Sequence, residues 1–70
     1  MTLRSAQEGK EYIIHGMNTG DEELDGFLFS LGCYSGEPIT LISRRRSSCT
    51  VFIKDARYCI DSQLADSIMV

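Results

Sequence analysis

The chain predicts a mainly β fold, a small barrel of five short strands with one α-helix after the first strand and a helical turn before the last. Three observations predict it. Leu24, Phe27, Leu28 and Leu31 form one apolar stripe at helical spacing, stopped by Gly32. From Pro38 to Ile60 apolar and polar residues alternate with the period of a half-buried strand, interrupted by two polar turns. A last apolar segment, Ile68 to Val70, follows a short capped turn. A helix closing one end of so small a cylinder leaves no room for an internal active site. Activity is therefore expected on the outer surface.

Met1 to Gly9 reads as a lead-in that touches the core through Leu3 and Ala6. Gly9-Lys10 turns into a first strand, Glu11 to Met17, with Tyr12, Ile14 and Met17 inward and Gly16 marking a bulge. Asn18-Thr19-Gly20 breaks it. Thr19 and Glu22 have capping-box spacing, and Asp21, Glu22 and Glu23 put negative charge where the helix dipole favours it. Gly26 inside the helix costs about 1 kcal/mol relative to alanine, so the helix relies on packing rather than propensity. Gly32 is expected in the left-handed conformation that ends it.

Cys33 to Gly36 makes a turn, and Pro38 opens the second strand, where a missing N–H is tolerated. There Ile39 and Leu41 alternate with Thr40 and Ile42. Arg44-Arg45-Arg46-Ser47-Ser48 is a polar hairpin tip. On the third strand Cys49, Val51 and Ile53 share one face, opposite Thr50, Phe52 and Lys54. A two-residue turn at Asp55-Ala56 is expected to pair Ile53 with Tyr58, Phe52 with Cys59 and Val51 with Ile60. Cys49 and Cys59 then lie on opposite faces. Asp61 or Ser62 caps a helical turn carrying Leu64 and Ala65, and Ile68-Met69-Val70 closes the sheet. This order is that of an SH3-like small barrel, read as one domain over residues 1–70.

A domain of 70 residues buries only about 60% of its unfolded surface, and 43% hydrophobic residues suffice for a modest core. The net charge of -3 offers no broad basic face to nucleic acid or anionic lipid. Met1-Thr2-Leu3-Arg4-Ser5 runs into polar residues without a leader pattern, and no apolar run approaches the ~20 residues that span a bilayer. A cytoplasmic location is expected, with membrane association only through a partner. Cys33, Cys49 and Cys59 are odd in number and lack close pairs, which disfavours both a disulfide framework and structural zinc. All three are expected as reduced apolar fillers.

The ordered set Thr2-Leu3, Gly9, Leu28-x-x-Leu31-Gly32, Gly36, Ile39/Leu41 and Leu64-Ala65-x-x-Ile68-x-Val70 resembles the FeoA family. The resemblance covers essentially the whole chain. It implies a small cytoplasmic SH3-like protein of bacterial ferrous-iron uptake that assists or regulates FeoB, a membrane transporter with a cytoplasmic GTP-binding domain. The same fold occurs at the C-terminus of iron-dependent repressors, whose DNA-binding domains have no counterpart in these 70 residues. Two departures stand out. Family members carry arginine in the helix near Gly26 and Phe27, where this chain has no basic residue, and glycine in the hairpin turn where it has Asp55. Aspartate tolerates positive φ better than most residues, so the turn survives.

Phe29 is expected on the helix face opposite the leucine stripe, and Phe52 on the outer face of the third strand near Arg57 and Cys59. Exposed aromatics of this kind anchor protein partners. These residues, with Arg44 and Arg45, are the candidate partner-binding set. The tip Arg44 to Arg46 reads first as a solvated, aggregation-resisting edge, and nucleic-acid binding through it is disfavoured by the acidic whole. His15 is the one histidine, and among scattered carboxylates it makes no transition-metal site. No cofactor and no catalysis are expected, since there is one histidine and no phosphate loop. The rival reading is an Fe(II)-binding or metal-sensing protein using Cys33, Cys59, His15 and carboxylates. Weak self-association is compatible with either.

Overall fold

A computed structural model describes residues 1–70. The lead-in forms a 3-10 turn, Leu3–Ser5, and buries Leu3 and Ala6 as expected. The expected first strand is two. β1 (Glu11–Ile13) pairs with β3 (Pro38–Arg44), while β2 (Gly16–Met17) pairs with β6 (Ile68–Met69). The handover occurs at Ile14-His15, not through a bulge at Gly16: the Ile14 N–H donates to the Glu37 carbonyl and the His15 N–H to the Met69 carbonyl. One straight strand cannot satisfy two differently placed partners, so the backbone breaks where it changes sheets.

Helix α1 spans Glu22–Leu31 and is capped by Asp21, whose carboxylate accepts the N–H groups of Glu23 and Leu24. The Thr19/Glu22 box does not form. Thr19 instead donates both its hydroxyl (2.7 Å) and its N–H (3.0 Å) to Asp25. An aspartate directly before the first turn reaches the orphan donors, and Thr19 is two residues too early. Gly32 ends the helix at φ 105, with its N–H and that of Cys33 returning to Phe29 and Leu28. The leucine stripe is only partly buried. Leu28 is fully inside and Leu31 half-buried, but Leu24 and Phe27 are 39% and 48% exposed.

The meander continues through β3, β4 (Ser48–Ile53) and β5 (Ala56–Asp61) in the sheet order β1-β3-β4-β5. The β3–β4 register shifts between Leu41 and Ser43, placing a bulge at Ile42. Between β4 and β5 the two-residue turn is Lys54-Asp55, both at positive φ (51 and 61), one residue earlier than expected. Ile53 therefore faces Ala56, Phe52 faces Arg57, Val51 faces Tyr58 and Cys49 faces Ile60. Every partner on β5 is displaced by two. Because side chains alternate with period two, each still points to its expected face, and Cys49 and Cys59 remain on opposite sides.

Asp61 caps α2 (Ser62–Ala65) by accepting the Gln63 N–H at 2.8 Å. β6 then returns to β2 as a separate two-stranded sheet, so the expected closed barrel is an open SH3-like arrangement of four strands and two. The thirteen-residue core lies between them and includes Leu3, Ile14, Leu28, Ile39, Leu41, Val51, Ile53 and Ile68. Buried Ser62 and Ser67 donate to the carbonyls of Arg46 and Leu64, and no buried polar side-chain atom lacks a partner.

Candidate functional site

Where α1 ends beside the β4–β5 turn, four side chains meet. Phe29, 58% exposed, stacks on Tyr34 with ring centroids 4.8 Å apart and planes tilted by 37°. Lys54 lies over Tyr34, its ammonium 5.2 Å from the ring centroid and 3.1 Å from the Glu37 carboxylate. The Tyr34 side chain, and after it Glu37, holds that ammonium above the ordinary lysine range. Phe29, Leu31, Gly32, Tyr34, Lys54 and Tyr58 line a shallow hollow open to solvent. Gly32 is what lets these parts approach: a Cβ there would stand 2.6 Å from Lys54 Cγ.

A second apolar feature lies round the corner of Lys54. Phe52, 39% exposed, sits on the outer sheet face between Thr40 on β3 and Arg57 on β5. Cys59 lies one pair further along the same face, opposite Thr50. Lys54 borders both this depression and the Phe29 hollow. The two aromatics are thus on adjoining surfaces, each with a cation at its margin.

The hairpin-tip arginines, Arg44 to Arg46, do not join them. Arg44 is taken up by the fold: its guanidinium donates to the carbonyls of Arg4 (3.1 Å) and Ala6 (2.7 Å), and its N–H to Glu8. It pins the lead-in to β3. Arg45 and Arg46 remain exposed at the tip, where the Arg45 N–H closes the hairpin on Ser48. Tyr34, Lys54 and Tyr58 are contributors that sequence reasoning missed. Only Tyr34 carried a local signal, an aromatic two residues after a helix-ending glycine.

Cys33 and Cys49 are buried as expected, but Cys59 is exposed on β5, where the outer sheet face meets solvent. Burial pushes the Cys33 thiol up to about 11 and raises Cys49 as well. A protonated interior thiol is a poor metal ligand. His15 is exposed on the segment between β1 and β2. No three histidine, cysteine, aspartate or glutamate side chains converge in a way that could hold a metal ion. No helix is long and apolar enough to cross a membrane.

Residues 1–70 match the family model of the FeoA domain. Among solved structures, an iron uptake regulatory protein (FeoA) superposes with a TM-score of 0.89 at 21% identity, covering 100% of this chain and 93% of that one. The Stenotrophomonas maltophilia FeoA complexed with zinc, described as an SH3 domain protein, gives 0.87 at 16% identity, with 100% and 88% covered. A manganese-dependent transcriptional repressor gives 0.87 at 18% identity, but there the match covers 97% of this chain and only 39% of the repressor. No curated protein matches at a significant level.

Proposed function

This chain belongs to the FeoA domain family, whose members are related to ferrous-iron transport, and on that premise we propose that it is a non-enzymatic interaction module for a FeoB-type transporter. It docks as one domain, in the cytoplasm, on the transporter's GTP-binding part. The observation that supports this is the Phe29–Tyr34 pair, left on the surface with Tyr58 and Lys54 beside it. A 70-residue protein that keeps 58% of a phenylalanine exposed has apolar area to offer a partner, and such aromatics dominate interface energies. Phe52 and Arg57 extend the same surface across Lys54.

The mode of action follows from linkage. Docking shifts a conformational equilibrium of the transporter only by the difference in its affinity for the two states. The decisive experiment is binding of the isolated GTP-binding domain to the wild-type chain, Phe29→Asp and Phe52→Asp, with folding verified by circular dichroism. Loss of binding in at least one folded variant supports the surface. Unchanged affinity in both eliminates it.

A further inference from the structure

We propose that β5 is a self-pairing edge through which two copies of this chain join their four-stranded sheets into one. β5 is the outer strand of its sheet, with β4 as its one neighbour. It is regular over all six residues, Ala56–Asp61, with no register shift and no proline. The opposite edge, β1, is only three residues long. Natural sheets blunt a long edge with charged side chains, proline, a bulge or a covering element. β5 has neither proline nor bulge, and its two edge charges, Arg57 and Asp61, are opposite in sign.

Strand geometry says which of its groups are free. The two-residue turn makes Ile53 and Ala56 a hydrogen-bonded pair, and the alternation runs on until the Ser62 N–H meets the Ser47 carbonyl at 3.0 Å. The N–H groups of Arg57, Cys59 and Asp61 and the C=O groups of Arg57 and Cys59 therefore point away from β4, whereas the Asp61 C=O, at the N-cap of α2, is turned to the first turn of that helix. All three side chains are exposed on one face, that of Phe52.

A second β5 laid antiparallel about a two-fold axis through Cys59 uses all three residues at once. Arg57 then faces Asp61 of the second copy, Asp61 faces its Arg57, and Cys59 faces Cys59. Tyr58 comes against Ile60 of the second copy on the core side. Neither Arg57 nor Asp61 has an ionic partner within its own chain, where the one ion pair is Lys54–Glu37. Other registers that respect the hydrogen-bond alternation set arginine against arginine, aspartate against aspartate, or leave Arg57 or Asp61 opposite Cys59. Opposite charges directly across a strand pair stabilise it and like charges oppose it. The occupant this edge fits is thus a second copy. Strand pairing alone buries little area, so the dimer is weak and forms at high concentration.

The test reads association by analytical ultracentrifugation up to roughly 1 mM protein, the limit of weak pairing. Wild type is expected to dimerise reversibly. Arg57→Asp puts two carboxylates opposite each other twice and is expected to raise Kd by roughly tenfold or more. Copper–phenanthroline with oxygen reports the register: two Cys59 thiols form a disulfide, their two electrons passing to oxygen and their two protons to solvent. The hydrogen-bonded pair spacing of ~5.5 Å between Cα atoms permits that bond. Cross-linking is expected to be fast in wild type, slowed in Arg57→Asp and absent in Cys59→Ser. Mixing Arg57→Asp with Asp61→Lys is expected to restore a heterodimer, since both cross-strand pairs are again opposite in charge. A monomer throughout the concentration range, or association and cross-linking unaltered in Arg57→Asp, overturns the proposal. Should loss of the Asp61 cap unfold the second variant, Arg57→Asp alone still decides it.

Discussion

Gly32→Ala is expected to destabilise this protein while the identical change at Gly26 stabilises it. At Gly32 two costs coincide. The residue holds φ 105, and an L-residue in the left-handed region loses ~1–2 kcal/mol relative to glycine. The added Cβ would also lie 2.6 Å from Lys54 Cγ, near the root of that side chain, so the lysine must leave Tyr34 and Glu37 to relieve it. Against these stands the roughly 0.4–1 kcal/mol that alanine returns by restricting the unfolded chain. The net expectation is a loss of about 1–2 kcal/mol, or roughly 4–8 °C in Tm per kcal/mol for a domain of this size. At Gly26, inside α1, nothing lies within 4 Å of the new Cβ and φ is not positive. There alanine is expected to gain about 1 kcal/mol from helix propensity. Urea and thermal unfolding followed by far-ultraviolet circular dichroism measures both. A Gly32→Ala protein as stable as wild type would refute the reasoning about helix end and close approach together.

Leu28 is the only residue of α1 wholly inside the core, so Leu28→Ala is expected to cost about 2–5 kcal/mol, whereas Leu24→Ala, at a half-exposed position, costs much less; equal losses by urea titration would contradict the docking described. In the native protein a thiol-specific disulfide reagent is expected to label Cys59 at once and Cys33 and Cys49 only after unfolding, as counted by the chromophore released. The Cys33 thiol is raised from 9.0 to about 11, so the unfolded chain loses that proton first. Stability is therefore expected to be undiminished by this group below pH 9 and to decline between about pH 9 and 11, a decline Cys33→Ala removes. Thr19 lowers the Asp25 pKa through its hydroxyl and then its N–H, so Asp25 adds stability above its ordinary 3.8 that is lost as pH falls through the lowered value. Thr19→Ala is expected to bring the Asp25 carboxyl back up in an NMR titration.

Much of this architecture was legible in short-range pattern. The 24, 27, 28, 31 spacing announced a helix, Gly32 its end, and the alternation of Cys49, Val51 and Ile53 a buried strand face. Face assignment on β5 held even though the turn was misplaced by one residue, because the displaced pairing moved by two. The helix cap was misread because Thr19 and Asp21 both suit the role, and the choice depends on which side chain reaches the first turn's N–H groups. The candidate surface was half visible. Phe29 and Phe52 stand out as apolar residues off pattern, but Arg44 carries the same charge as its neighbours and nothing local says that it folds back onto Ala6.

Amino-acid order alone determined the kinds of element, their succession, and the inward face of β4 and β5, since periodicity and φ preference act within a few residues; on α1 it marked the stripe but not how deeply Leu24 and Phe27 are buried. Tertiary structure decided the rest: the split of the first strand between two sheets, the Tyr34–Lys54–Glu37 contact over Gly32, and the open edge at β5. Those depend on groups far apart in the chain meeting in space, where shape and unpaired hydrogen-bonding capacity govern rather than spacing.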